Sequence, residues 1–254
     1  MNAVAMPLRA TLRCYGLEAR YEFLRLLRSP SFAVPVLVFP SLFYCLFGVL
    51  LNRGHGGAKA ATYLLATYGV FGVMGPALFG FGVAMAVDRE RGLLTLKRAL
   101  PMPPGALLLA KMAMAALFAM IIFVQLALIG VLLGGVQLTG AQWACLFTID
   151  VLGVLPFSAI GLFVGSVVGG QGAPAVVNLI YLPMALLSGL WMPLTMLPAF
   201  IGKLAPALPA YHLSQIALSV VGQGNGGVVG VHLAVLLGCT VVFFLLARRR
   251  LTRT

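Results

Sequence analysis

The sequence predicts an all-α integral membrane protein with six transmembrane helices. Of its 254 residues, 61% are hydrophobic and only 9% are charged. An average soluble domain has about 25% charged residues, and so little charge would not keep a chain of this length in solution. Six apolar segments are each long enough to cross a bilayer core, which needs about 20 residues. They are residues 31–51, 62–87, 106–135, 143–168, 174–192 and 228–247.

The distribution of positive charge predicts how these segments are oriented. Fourteen of the 17 Lys and Arg residues lie in alternate connecting segments. They are Arg9, Arg13, Arg20, Arg25 and Arg28 before the first span, Arg89, Arg91, Lys97, Arg98 and Lys111 between the second and third or just inside the third, and Arg248, Arg249, Arg250 and Arg253 at the C-terminus. The opposite side has Arg53, Lys59 and Lys203. Because cytoplasmic loops carry the excess of Lys and Arg, both termini are predicted to be cytoplasmic.

The composition also argues against several functions. The net charge of +12 flanks apolar spans, where anionic lipid headgroups of the bilayer balance it, and does not interleave with aromatic residues as in a nucleic-acid interface. Cys14, Cys45, Cys145 and Cys239 have no CxxC spacing, so neither a disulfide nor a metal site is predicted. Acids and histidines are not gathered as a membrane enzyme would need, so no catalytic residue is predicted.

Residues 1–30 are predicted to form a cytoplasmic connecting element with an amphipathic helix. Apolar side chains recur at helical spacing through residues 8–28, while Arg13, Arg20, Arg25 and Arg28 belong to the polar remainder. Pro30 ends this helix before the first span. The helix either anchors the chain at the membrane surface or also docks a cytoplasmic partner. Residues 31–254 then form a single six-span domain.

The connection between the second and third spans contains two of the five acidic residues of the chain. It begins Asp88-Arg89-Glu90-Arg91-Gly92-Leu93 and ends in a proline-rich stretch at 101–104. Orienting a membrane protein requires bases but no acids. Leu93, Leu96 and Leu100 recur at i, i+3 and i+7, which predicts a short amphipathic helix of the kind that fits a groove on another protein.

At these residues the chain resembles the membrane subunit of ATP-binding-cassette exporters, the ABC type-2 transporter permease family. The resemblance rests on Glu90-Arg91-Gly92, then Leu96 and Pro101, and then Leu-Leu-Leu-Ala-Lys at 107–111. The order of elements agrees over essentially the full length: an amphipathic connecting helix, six spans, both ends inside and a long outer segment before the last span. This family includes drug-resistance permeases and exporters of polysaccharides or lipids.

The resemblance implies that residues 88–100 form a coupling helix on a cytoplasmic ABC ATPase subunit. The ATPase contact would then be made by Asp88, Arg89, Glu90, Arg91, Gly92, Leu93 and Leu96, together with the connecting helix; alternatively, the segment is a charged turn that caps the second span. The sequence has no GxxxxGK[ST] loop, so ATP and Mg²⁺ are expected on the partner chain and no cofactor on this one. Two permease copies, expected as a homodimer in a bacterial inner membrane, would surround one pathway.

Two stripes of small residues predict close packing of helices. Gly161, Gly165 and Gly169 form two GxxxG steps in the fourth span, and Gly230 and Gly238 belong to a similar stripe in the sixth. Small residues let helix backbones approach closely in lipid. The stripes pack either within one subunit or across the dimer, and the sequence leaves both open.

The segment from Trp191 to Asn225 is predicted to lie outside, yet it is nearly as apolar as a span. Pro193, Pro198, Pro206 and Pro209 prevent one continuous helix. We expect two short re-entrant helices between the fifth and sixth spans, similar to the outer gate of the resembled family. A loop lying on the surface fits the sequence equally well.

Few polar side chains mark a substrate pathway. The resemblance favours the second and fifth spans as its walls, which singles out Tyr68, Phe71, Asn178 and Tyr181, although packing within the bundle would explain each of them. A route so poor in charge suits efflux of a hydrophobic or amphiphilic cargo, a drug-like compound or a lipid. Two alternatives remain, export of a lipid-linked polysaccharide and an ion-coupled secondary transporter, whose folds use broken helices.

Overall fold

The computed structural model describes residues 7–52, 57–99, 103 and 105–251, and these residues contain helices but no β-strand. In chain order the helices are α1 (Leu8–Leu27), α2 (Pro30–Leu50), α3 (Gly57–Glu90), α4 (Leu93–Ala99), α5 (Ala106–Leu132), α6 (Gly140–Val167), α7 (Ala173–Leu187), α8 (Ala199–Leu204), α9 (Pro209–Val220) and α10 (Val229–Leu251). Turns of 3₁₀ helix at Leu194–Met196 and Ala205–Ala207 flank α8. Arg53, Leu100, Pro101 and Arg253, which entered the sequence argument, lie outside the described residues.

Within the described ranges, five helices are long and apolar enough to cross a membrane: α2, α3, α5, α6 and α10. This architecture is that of a multi-pass membrane protein. The predicted fifth span, 174–192, differs, because α7 has 15 residues and is only about 22 Å long at 1.5 Å per residue. It ends where Gly189 adopts a left-handed conformation with a φ of +72°.

The second span is longer than the sequence indicated. α3 runs from Gly57 to Glu90 instead of 62 to 87, so Asp88 and Glu90 belong to its last turn. The prediction that they lie on the short helix of the connection is therefore wrong. Gly92, with a φ of +71°, reverses the backbone, and α4 begins only at Leu93. The left-handed Gly92 ends α3 here, and polar side chains alone would not have ended it.

α3 is the most buried span and forms the centre of the bundle, in contact with α2, α5, α6, α7 and α9. Its contact with α6 depends on glycine. A Cβ on Gly161 would lie 2.9 Å from the carbonyl oxygen of Ala77, and one on Gly165 would lie 2.5 Å from that of Gly82. The fourth-span stripe therefore packs within the chain at these two positions. Gly169, Gly230 and Gly238 have no such neighbour on another helix.

Two segments outside the long helices are also helical. α1 agrees closely with the predicted 8–28 and packs against α5, where the rings of Phe23 and Phe118 are 5.1 Å apart. The apolar segment after α7 forms the short helices α8 and α9 and is not a surface loop. α9 packs against α3, α6 and α10, and His212 and Gln215 are buried there.

Candidate functional site

A buried ion cluster joins α1, α3 and α5. Lys111 of α5 is fully buried, and its Nζ donates to Glu22 Oε1 of α1 at 2.5 Å and to Asp88 Oδ2 of α3 at 2.9 Å. Arg25 of α1 donates to the same two carboxylates, at 2.7 Å to Glu22 and 2.9 Å to Asp88. These residues, Glu22, Arg25, Asp88 and Lys111, are called the four-charge cluster. Its two cations and two carboxylates balance.

Because the charges balance, they are tolerated in this buried contact between three helices. An isolated buried ion is very costly, so each charge requires a partner and the four are stable only together. Burial acts against the charged form of Arg25, but the carboxylates of Asp88 and Glu22 outweigh it and raise the pKa of the guanidinium. α1 is therefore fixed to the ends of two spans by contacts that require its charged side chains.

A second ion pair fixes α1 to the connection itself. Lys97 of α4 donates to Glu18 of α1, one turn before Glu22. Burial lowers the pKa of Lys97, and the nearby charge of Lys111 lowers it further. α1 thus contacts α3, α4 and α5 through charged groups. Movement of the connection cannot leave α1 behind unless these pairs break.

Arg89 and Glu90 contact the junction between α6 and α7. Arg89 donates to the carbonyl oxygens of Ser166 and Val168, at 3.0 Å to the latter, where the last carbonyls of α6 have no helical partner. Glu90 accepts the backbone N–H of Gly170 at 2.7 Å. Of the residues predicted to contact an ATPase, Asp88 is buried and Arg89 is half-buried against their own chain, while Glu90 remains exposed although it accepts the hydrogen bond from Gly170.

The remaining predicted contact residues form an exposed strip. Arg91, Gly92 and Leu96 are exposed, Leu96 to 59%, while Leu93 is half-buried. The apolar face of α4 that was predicted to include Leu96 is not the face that is buried. Leu94 packs instead against Phe81, Met85 and their neighbours. Arg13 and Arg20 of α1 and Arg28, directly after it, are also exposed.

The predicted pathway residues separate into two groups. Tyr68, Phe71 and Tyr181 come together, with the rings of Phe71 and Tyr181 stacked at 4.9 Å and the Tyr181 hydroxyl donating to the Phe71 carbonyl at 3.3 Å. Tyr68 and Phe71 are fully buried, so they are core residues and do not line an open route within one chain. Asn178 lies apart from them, on the exposed face of α7.

Sequence reasoning missed Glu18, Glu22 and the pairing of Lys111. The available signal was a lysine inside an apolar segment, together with acids among the arginines of the N-terminal helix. Asp150 is buried on α6 with its carboxylate against Gly69 of α3, and no ion pair to it is present in the described ranges. All other acids of the chain contact a base or a backbone N–H.

The described residues thus form an all-helical membrane body in which charged side chains of α1, α3, α4 and α5 contact one another at one end. The chain matches the model of the ABC-2 type transporter family over residues 16–221, and it belongs to that family. It is also 27% identical over 229 residues to YvfS of Bacillus subtilis (strain 168), provisionally named as a transport permease, with 89% of this chain and 92% of YvfS covered.

The chain is thus the permease subunit of an ABC-2 type transporter, and the resemblance stated from sequence is confirmed. The membrane domain of this family has no ATPase site, and ATP is used by a partner ATPase subunit. Family membership removes the ion-coupled secondary transporter from consideration.

Proposed function

We propose that two copies of this chain form the pathway of an ATP-driven exporter for a hydrophobic or amphiphilic cargo. In this proposal the protein lies in a bacterial inner membrane with both termini in the cytoplasm. α7 and the residues up to Trp191 complete the set of six spans, and α8 and α9 are re-entrant helices on the outer side. Residues 1–30 are the connecting element, and residues 31–254 form the six-span domain.

The observation that carries this proposal is the charge network around the four-charge cluster. An ATPase bound to the strip of Arg91, Gly92, Leu93 and Leu96 pushes on the end of α3. Through Asp88 the push reaches α1 and α5, and through Arg89 and Glu90 it reaches the junction of α6 and α7. Asp88, Arg89 and Glu90 thus act by transmission, and the exposed strip makes the contact.

The walls of the pathway follow from the neighbours of Gly75 on α3. A Cβ at this position would have Tyr181 of α7 and Val36 of α2 both at 3.8 Å, so α2 and α7 lie side by side on α3. The exposed face of α7 has Asn178 beside Leu179, which is 73% exposed. When these surfaces face a second copy, they form an apolar route in which Asn178 is the polar group. The stacked rings of Phe71 and Tyr181 hold α7 in place behind it. Such a route favours a drug-like compound or a lipid as cargo.

The contact with the ATPase is tested by co-purification from mild detergent. Arg91→Glu reverses an exposed charge on the proposed contact and is expected to lower the recovery of the ATPase subunit about tenfold, the effect of about 1.4 kcal/mol. Lys203→Glu, a charge reversal at another exposed residue, on α8, is the matched control and should leave recovery unchanged. Equal recovery with both variants would contradict the proposed contact.

The cargo is tested on the purified complex by stimulation of its ATPase activity. Amphiphilic compounds and lipids are expected to stimulate hydrolysis, whereas soluble saccharides should not. Stimulation by lipid-linked or free saccharides alone would overturn the proposed cargo and favour the polysaccharide exporter.

A further inference from the structure

Two histidines form a hydrogen-bonded chain at the end of the bundle opposite the four-charge cluster. His212 lies on α9 and His232 on α10, and their Nδ1 atoms are 2.8 Å apart. The Nε2 atom of His212 is 2.8 Å from the carbonyl oxygen of Pro206. The chain of contacts therefore joins the turn before α9, α9 itself and the beginning of the last span.

The carbonyl oxygen of Pro206 determines where the protons lie in this series of hydrogen bonds. A carbonyl oxygen only accepts, so Nε2 of His212 must carry the proton that it donates to Pro206. In the neutral imidazole Nδ1 of His212 is then an acceptor, and Nδ1 of His232 must donate to it. The remaining ring nitrogen, Nε2 of His232, has no proton. It lies beside Gly227, where a Cβ would be 2.9 Å away.

Protonation affects the pair in two steps. The first proton is taken up by Nε2 of His232 and leaves the Nδ1–H of that ring donating to His212. The second must go to Nδ1 of His212, which then places two N–H groups and two positive charges head to head across 2.8 Å. The pair cannot survive that state and has to separate.

No carboxylate compensates for the second proton among the described residues. Tyr211 is the titratable side chain that faces both rings, with ring centroids at 5.4 Å from His212 and 6.1 Å from His232. Lys59 of α3 and Asp150 of α6 are the charged residues toward this end of the helices that pack against α9, and neither forms an ion pair with His212. The charged residues of α10, Arg248, Arg249 and Arg250, lie at its far end.

We propose that His212 and His232 form a proton-sensitive latch, which holds α9 against α10 while at least one imidazole is neutral and releases α9 when both are charged. Histidine is the side chain that changes charge in mildly acidic surroundings, so acidification is the signal that the latch reads. The proposal concerns the regulation of the outer segment and does not depend on the cargo or on the ATPase.

The test measures how fast a buried cysteine on α9 is modified. Ser214 is 1% exposed, and Ser214→Cys is nearly isosteric, so the new thiol reacts only when α9 moves away. The full chain is purified in detergent with a chelator, and reaction with a thiosulfonate is followed at about pH 7.5 and about pH 4.5, the latter well below the usual histidine pKa because both rings must become charged. The same protein with Ser214 retained gives the contribution of the four native cysteines.

The comparison variant is His232→Asn. Its amide donates to His212 when that ring is neutral and turns to accept when the ring is charged, so this latch should hold at both pH values. Comparing the variants at one pH cancels the pH dependence of the thiol chemistry. At about pH 7.5 the rates should agree, and at about pH 4.5 the native pair should react about fivefold faster, the factor for one lost hydrogen bond.

Two further variants keep the result interpretable. His232→Ala has no latch and is expected to react fast at both pH values, and His55→Gln, which changes the third histidine of the chain, should retain the acceleration of the native pair. A native-to-Asn ratio that is the same at both pH values would overturn the proposal. Loss of the acceleration in His55→Gln would overturn it as well.

Discussion

Replacing Lys111 with methionine removes one cation from the four-charge cluster and keeps an unbranched side chain of similar length. Glu22 and Asp88, both 5% exposed, then share only Arg25, whose side chain is 42% exposed. Removing one partner of a buried ion pair costs about 3–5 kcal/mol. At about 2–4 °C per kcal/mol for a chain of this size, the unfolding midpoint should fall by roughly 6–20 °C.

The assay is thermal unfolding of the purified protein in one detergent, for Lys111→Met, Asp88→Asn and the double variant. In the double variant Glu22 and Arg25 still balance, so its loss of stability should be smaller than the sum of the single losses by at least about 1 kcal/mol. Lys203→Met, at an exposed lysine, is the control and should not change the midpoint. Additive losses would refute the reasoning that these charges depend on one another.

Two further predictions concern packing in the spans. Gly165→Ala should lower the unfolding midpoint, since the methyl group would lie 2.5 Å from the Gly82 carbonyl oxygen. Gly238→Ala is the control, because nothing lies within 4 Å of the added methyl group, and it should be neutral or slightly stabilising. Equal shifts of the midpoint in the two variants would contradict the α3–α6 contact. Tyr181→Phe should cost about 0.5–1.5 kcal/mol in an unfolding measurement, because it loses the hydrogen bond to Phe71 and keeps the stacked ring. A loss as large as that of Tyr181→Ala would show that the stack contributes little.

Local features were predictable from the sequence. The hydropathy pattern and the positions of prolines predicted bounds for α1, α2 and α5 that are close to the observed ones. Both signals depend only on residues within one or two helical turns. The GxxxG steps of Gly161 and Gly165 indicated a close helix contact, and the structure adds that the partner is α3. The fifth span was overestimated, because the apolar run continues past Leu187 while Gly189 already reverses the backbone.

The contacts of the charged residues were not predictable in this way. Glu22 and Lys111 are 89 positions apart, and only the folding of α1 back onto α5 brings them together. The same holds for Glu90 and Gly170, which are 80 positions apart. The family resemblance indicated that residues 88–96 matter for coupling, but a motif does not say which of its side chains bond to their own chain. That division between Asp88, Arg89 and Glu90 on one hand and Arg91 and Leu96 on the other required the structure.

The buried position of Lys111 also imposes an order on biosynthesis. The ribosome makes α1 first, and Glu22 then has only its neighbour Arg25 as a counterion. α1 reaches its docked position only after α2, α3 and the beginning of α5 have been made and inserted. Until then the nascent chain presents a loose N-terminal helix at the membrane surface. A docked α1 is therefore a sign that the first half of the permease is complete, and an ATPase subunit that recognises this surface would not select chains that end before α5.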